Sequence, residues 1–124
     1  MPEAGKTVVL YGITSCDQVR RARRWLETAQ LPYRFHDFRR DGLERERLQH
    51  WLRLSGWETL LNRQSTTWRA LPTHERPTDA RAGERALLAH PTLIKRPVLE
   101  AGDALLVGFS EAAYQRLLQP SHDG

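Results

Sequence analysis

The chain has 124 residues, 40% hydrophobic and 27% charged, with a formal net charge of +4. That length suits one domain around one core, and no apolar run is long enough to cross a bilayer. One cysteine excludes an internal disulfide and a multi-cysteine zinc site.

Thr7-Val8-Val9-Leu10-Tyr11 is short, apolar and β-branched, as a buried strand is. Gly12-Ile13-Thr14-Ser15 turns the chain, and Cys16 opens a helix with Val19, Ala22, Leu26 and Ala29 on one face and arginines on the other. Ser15 is the expected cap, which puts the Cys16 thiol in the first turn. Leu31-Pro32 ends this segment, and Tyr33 to Phe38 alternates as a second strand does. Two short strands joined by one helix predict a parallel βαβ start. Arg39-Arg40-Asp41-Gly42 reads as a turn. Helices follow over Leu43 to Leu54, Trp57 to Asn62 and Asp79 to His90, the last with Ala82, Ala86, Leu87 and Leu88 as its apolar stripe. Pro72 to Thr78 is a loop. Leu93 to Glu100 and Ala104 to Phe109 form a hairpin across Ala101-Gly102-Asp103, and Ser110 caps a last helix from Glu111 to Leu118. Residues 119–124 are expected to fray.

Cys16 carries the chemistry. A helix N-terminus gathers unsatisfied N–H groups and a positive dipole end, and both favour a thiolate. A lone cysteine is often a small buried apolar residue, but Thr14, Ser15, Asp17 and Gln18 around it are polar. Arg20, one turn on, either supports the thiolate or pairs with an anionic ligand, unless it is plain surface. Asp17 opposes it by like charge with the thiolate. A Cys-x5-Arg loop is excluded by Ala22 and a Cys-x-x-Cys pair by Val19. A disulfide cycle therefore needs an external thiol such as glutathione. The histidines lack metal-ligand spacing, so no metal is expected, and His36 reads as a strand residue rather than a base. Thr66 and Thr67 either line the anion side of the thiol pocket or belong to a capped short helix. Trp51, Trp57 and Trp68 read as packing. The arginines lie beside glutamates such as Glu44, Glu46 and Glu84, which argues for solvated surface rather than a nucleic-acid footprint. Residues 1–6 have no signal-peptide core, so a cytoplasmic, reduced protein is expected.

The order of pieces resembles a thioredoxin-like α/β fold, β-α-β then β-β-α, with a helical insertion at about residues 43–90 of a single domain spanning 1–124. More narrowly, the chain is similar to the arsenate reductase ArsC and Spx family, closest to its YffB branch. The matching motifs are Leu10-Tyr11-Gly12-Ile13 before Cys16-Asp17, Ala22-Arg23-Arg24-Trp25-Leu26, Tyr33-Arg34-Phe35-His36-Asp37, Asp41-Gly42-Leu43, Gly56-Trp57-Glu58, Leu60-Leu61-Asn62, Thr66-Thr67-Trp68-Arg69, Leu93-Ile94-Lys95-Arg96-Pro97 and Gly108-Phe109. The resemblance implies a nucleophilic Cys16, an anion-binding Arg96, and a cis Pro97, which would otherwise be an ordinary strand-start proline. It also marks departures. Arsenate reductases carry a histidine where this chain has Gly12. They carry a second oxyanion arginine in the segment matching Val107 to Ser110, which has none here, and a third near Asn62 or Arg63. The expected activity is a glutathione-dependent thiol oxidoreductase, with glutathione as co-substrate, an anionic substrate, no metal and no nucleotide. Two alternatives are an Spx-like regulator that binds RNA polymerase and an arsenate reductase with an incomplete oxyanion site. No membrane partner is expected, and the protein is expected to be a monomer.

Overall fold

The computed structural model describes residues 7–119. In chain order the elements are β1 (Val8–Gly12), α1 (Asp17–Thr28), β2 (Arg34–Asp37), α2 (Phe38–Asp41), α3 (Arg45–Ser55), α4 (Trp57–Leu60), α5 (Thr66–Ala70), α6 (Ala80–Ala89), β3 (Val98–Ala101), β4 (Ala104–Val107) and α7 (Glu111–Leu118). Single 3-10 turns lie at Thr73–Glu75 and Pro91–Leu93. The chain divides into two compact units, one made of Met1–Asp37 with Arg96–Gly124 and the other of Phe38–Lys95.

The first unit is built on a four-stranded sheet in the order β2-β1-β3-β4. β1 pairs parallel with β2 and antiparallel with β3, and β3 pairs antiparallel with β4. The predicted β-α-β and β-β-α halves are both present, and they share this sheet. Helix α1 buries Val19, Ala22 and Leu26 of the expected stripe, whose fourth member, Ala29, is the half-buried C-cap. Ala22 and Leu26 pack with Val8, Leu10, Leu99, Ala101 and Tyr114 in one cluster. Alternation along β1 sends Tyr11 to the other sheet face, where its hydroxyl donates to the buried Glu100 carboxylate at 3.0 Å. His36 packs its ring 4.9 Å from that of Tyr11, the strand role expected for it. α1 ends with Gln30 at φ 57° and the Leu31 N–H donating to the Leu26 carbonyl, a left-handed cap in which a glutamine takes the usual glycine position. Ser110 caps α7 as expected, accepting from the Ala113 N–H at 3.2 Å. The later predicted strands are shortened: β2 keeps Arg34–Asp37, β3 Val98–Ala101 and β4 Ala104–Val107. The hairpin closes on a two-residue turn with Gly102 at φ 61°. Of the expected frayed tail, only Gln119 is among the described residues.

The second unit is helical. Arg39 to Gly42 is a helical turn rather than a β-turn: α2 begins at the buried Phe38, and the Gly42 N–H closes on the Phe38 carbonyl at 3.0 Å. α3 buries Leu48 and Trp51, and Gly56 at φ 84° swings the chain into α4. α6 buries Gly83 and Leu87, while Ala82, Ala86 and Leu88 are half-buried. The stripe is centred on Gly83 because Trp57 lies on it: a Cβ there would sit 2.7 Å from the indole. Trp51 and Trp57 are therefore packing residues, as the sequence suggests. Leu61 bridges Ile94, and flanking bonds run from the Asn62 N–H to the Leu93 carbonyl and from the Lys95 N–H to the Leu60 carbonyl.

Candidate active site

β1 ends at a glycine for a steric reason. Gly12 is buried, and a Cβ on it would lie 2.6 Å from Val19 Cγ2 of α1. The chain then turns over residues 13–16, and the Cys16 N–H closes on the Ile13 carbonyl at 3.3 Å. This closure leaves Cys16 extended (φ −88°, ψ 128°), so Cys16 is itself the N-cap and α1 begins at Asp17. The expectation that Ser15 caps the helix is corrected on this point. The thiol stands at the mouth of the helix end, not in its first turn. Its side chain makes no capping hydrogen bond, and the residue is half-buried. The sulfur is thus reachable and sits where the unsatisfied N–H groups converge.

Arg20 and Asp17, expected to push the thiolate in opposite directions, are paired with each other. Arg20 Nη2 lies 3.5 Å from Asp17 Oδ1, and Nη1 donates to the Thr14 carbonyl at 3.3 Å. Both side chains are more than half exposed, so the pair is worth at most about 1 kcal/mol. The arginine staples the thiol turn. Its neighbours on α1 lie against aromatic rings, Arg21 over Phe109 at 5.9 Å and Arg23 over Phe35 at 4.2 Å.

The second half of the unit brings Arg96 and Pro97 to the same end of the sheet. The Arg96–Pro97 bond is cis, as the resemblance implies. The antiparallel register ends with Tyr11 opposite Val98. Pro97 therefore enters β3 where β1 gives way to the thiol turn. Pro97 is buried and Arg96 half-buried. One contributor has no role in the sequence reading. Gly108, at φ 83°, donates its N–H to the Pro97 carbonyl at 2.8 Å and secures this corner. The signal is a glycine near the end of the last predicted strand, in the Gly108-Phe109 motif.

Thr66 and Thr67 begin α5 in the helical unit. Ser65 caps that helix by accepting from the Trp68 N–H at 3.0 Å, and the Thr67 hydroxyl lies 2.7 Å from that of Thr92. The capped short helix weighed for them is present. Trp68, read as packing, is half-buried and also carries Arg63 and Arg76 on its ring. Among the described residues, no group of three or more His, Cys, Asp or Glu is placed to hold a metal ion, and no helix is long and apolar enough to cross a membrane.

A β-α-β half and a β-β-α half on one sheet, with a cysteine at the first helix start and a cis proline entering the third strand, define a thioredoxin-like fold. The ArsC family model matches residues 11–117, and the chain belongs to that family. The solved structure of a YFFB protein is 44% identical, with 90% of this chain and 99% of that one covered and a TM-score of 0.87. An arsenate reductase (ArsC) related protein from Brucella melitensis is 43% identical, with 91% and 95% covered and a TM-score of 0.72. The global transcriptional regulator Spx 2 of Bacillus anthracis is 26% identical over 116 residues, covering 92% of this chain and 88% of the regulator.

Proposed function

We propose that this ArsC-family protein is a cytoplasmic, glutathione-dependent thiol oxidoreductase with Cys16 as its nucleophile. The observation that carries the reading is the half-buried Cys16 thiol at the N-cap of a 12-residue helix. The Cys16 thiolate attacks one sulfur of a disulfide substrate. A Cys16 mixed disulfide forms, the substrate S–S bond breaks, and the departing sulfur leaves as a thiolate that takes a proton from water. A glutathione thiolate then attacks the substrate sulfur of the mixed disulfide, the bond to Cys16 breaks, a glutathione–substrate disulfide leaves, and the Cys16 thiolate returns. The chain has no second cysteine to do this. Arg96 binds the glutathione carboxylate or the anionic part of the substrate through its planar donor fork. Pro97 sets the corner beside the thiol. Arg20 serves the turn more than the ligand. Thr66 and Thr67 remain candidates for the anion side of the pocket, and this reading rests on Cys16, Arg96 and Pro97.

Arsenate reduction is the weaker reading. The position of the missing histidine is filled sterically, because any side chain on Gly12 meets Val19. An Spx-like role at RNA polymerase draws support from the Spx relatives. A pull-down with purified RNA polymerase would test it separately.

Exposure to oxidised glutathione followed by mass spectrometry should give one adduct on the wild type and none on Cys16→Ser. In calorimetry on Cys16→Ser protein, Arg96→Lys should weaken glutathione binding by about 1.5–3 kcal/mol, the value of a charge-assisted contact. A wild-type protein left unmodified would overturn the oxidoreductase reading. Equal affinities would remove Arg96 from the site.

A further inference from the structure

The helical unit contains a cleft that the thiol chemistry does not use. It opens between α6 and the loop that holds the Thr73–Glu75 turn, and its volume is about 470 Å³, within the range of small-molecule sites. Its polar wall consists of Arg76, Arg85, His74 and His90, and its apolar floor includes Ala82 and Ala86 of α6. Glu75 also lines it, 3.6 Å from His74 Nε2. Two guanidiniums against this carboxylate leave the cleft positive, and the imidazoles add further donors.

Arg76 is held ready without being neutralised. Its Cζ lies 4.9 Å from the centre of the Trp68 ring, and Nη2 donates to the Trp68 carbonyl at 3.3 Å. Arg63 sits on the same ring at 5.7 Å. An aromatic face orients a guanidinium while leaving its charge in place. A guanidinium has five N–H donors, and the described residues supply Arg76 with a single acceptor, leaving Nε buried and unsatisfied. An oriented cation with donors to spare, in a positive cleft with an apolar floor, is suited to an anion that brings an apolar body with it.

We infer that this cleft binds a small organic phosphate. Its dianionic head engages the guanidiniums of Arg76 and Arg85, and its apolar body lies on the alanine face of α6. A phosphate presents three acceptor oxygens against a carboxylate's two, which matches the larger donor set. Nε of Arg76 is shielded, so the head meets the outer nitrogens of that fork. The site is independent of Cys16 and does not rest on the thiol reading.

The test is a titration of phenyl phosphate into the full chain, followed by NMR at the arginine side-chain N–H and histidine ring signals. Saturable shifts are expected at Arg76, Arg85, His74 and His90, with inorganic phosphate binding clearly more weakly. Arg85 is exposed, so Arg85→Gln should leave the fold intact and weaken phenyl phosphate binding by about tenfold or more, the loss of one charge-assisted contact. Cys16→Ser should bind as the wild type does. Wild-type affinity in Arg85→Gln, shifts that never saturate, or saturation centred on Arg96 would overturn the proposal. Equal binding of inorganic and phenyl phosphate would overturn its organic part.

Discussion

The two units are held together in different ways. The core cluster of the sheet unit joins Leu10 and Leu26 from the first half of the chain to Leu99 and Tyr114 from its end. The helical unit also packs across sequence, Trp57 against Gly83 and Leu61 with Ile94, but most of its helices are very short. Its longest helix, α3, has 11 residues, and α2, α4 and α5 have four or five, too short to persist alone in water. Local bonds set their ends: Ser65 caps α5, and Asp79 caps α6 by accepting from the Ala82 N–H at 2.8 Å. The sheet unit should therefore be most sensitive to an atom added where space is full. The helical unit should be most sensitive to a single polar contact removed.

Gly12→Ala tests the first half of that contrast and carries the largest expected effect. The new methyl group has nowhere to go but into Val19, and overpacking of this kind costs about 1–3 kcal/mol. Urea unfolding should show a lower midpoint at unchanged slope. Adding Val19→Ala should restore much of the loss, so the pair should be strongly non-additive. Additive losses would mean that the glycine is needed for backbone reasons and not for space.

The caps test the second half with matched chemistry. Ser65 accepts at 3.0 Å and is buried; Ser110 accepts at 3.2 Å and is exposed. Replacing a capping serine by alanine costs about 0.5–2 kcal/mol. Ser65→Ala should fall near the upper end, because water cannot replace its bond to the Trp68 N–H. Ser110→Ala should fall near the lower end. Thermal or urea unfolding of both variants compares them directly. Equal losses would break the distinction between the two units.

The same contrast explains what could be read from the sequence. Period-2 and period-3.6 patterns reported the sheet unit well, because one-sided burial writes itself into residue spacing. β1 and α1 with its Val19, Ala22 and Leu26 stripe follow from it, and the Ser110 cap follows from the preference of serine for helix starts. The helical unit was read less sharply. Helical Arg39–Gly42 looks like a turn by composition, and the α6 stripe shifted to Gly83 because a tryptophan distant in sequence lies there. Around the thiol, Cys16 and the cis Arg96–Pro97 bond were anticipated, the bond through the family motif. That Cys16 rather than Ser15 is the cap depends on the hydrogen bond to Ile13, which no residue preference announces. The pairing of Arg20 with Asp17 and the tie from Gly108 to Pro97 are equally tertiary facts.

Tyr114 offers the smallest and most discriminating test. It is fully buried, with its ring edge-on to Trp25 at 5.7 Å and to Phe109 at 4.9 Å. Its hydroxyl has no hydrogen-bond partner among the described residues, and burial pushes the pKa of the phenol up from its ordinary value. Where packing alone holds Tyr114, its hydroxyl is a cost: a buried, unpaired polar group is penalised by about 1–3 kcal/mol before the packing of its oxygen is counted. Tyr114→Phe should then stabilise the protein slightly, by about 0.5–1 kcal/mol once that packing is lost. Tyr11→Phe is the control within the same sheet. It removes a bond to the buried Glu100 carboxylate and should destabilise. Opposite signs in urea unfolding are the expected result. Two losses would show that the Tyr114 hydroxyl has a partner in solution.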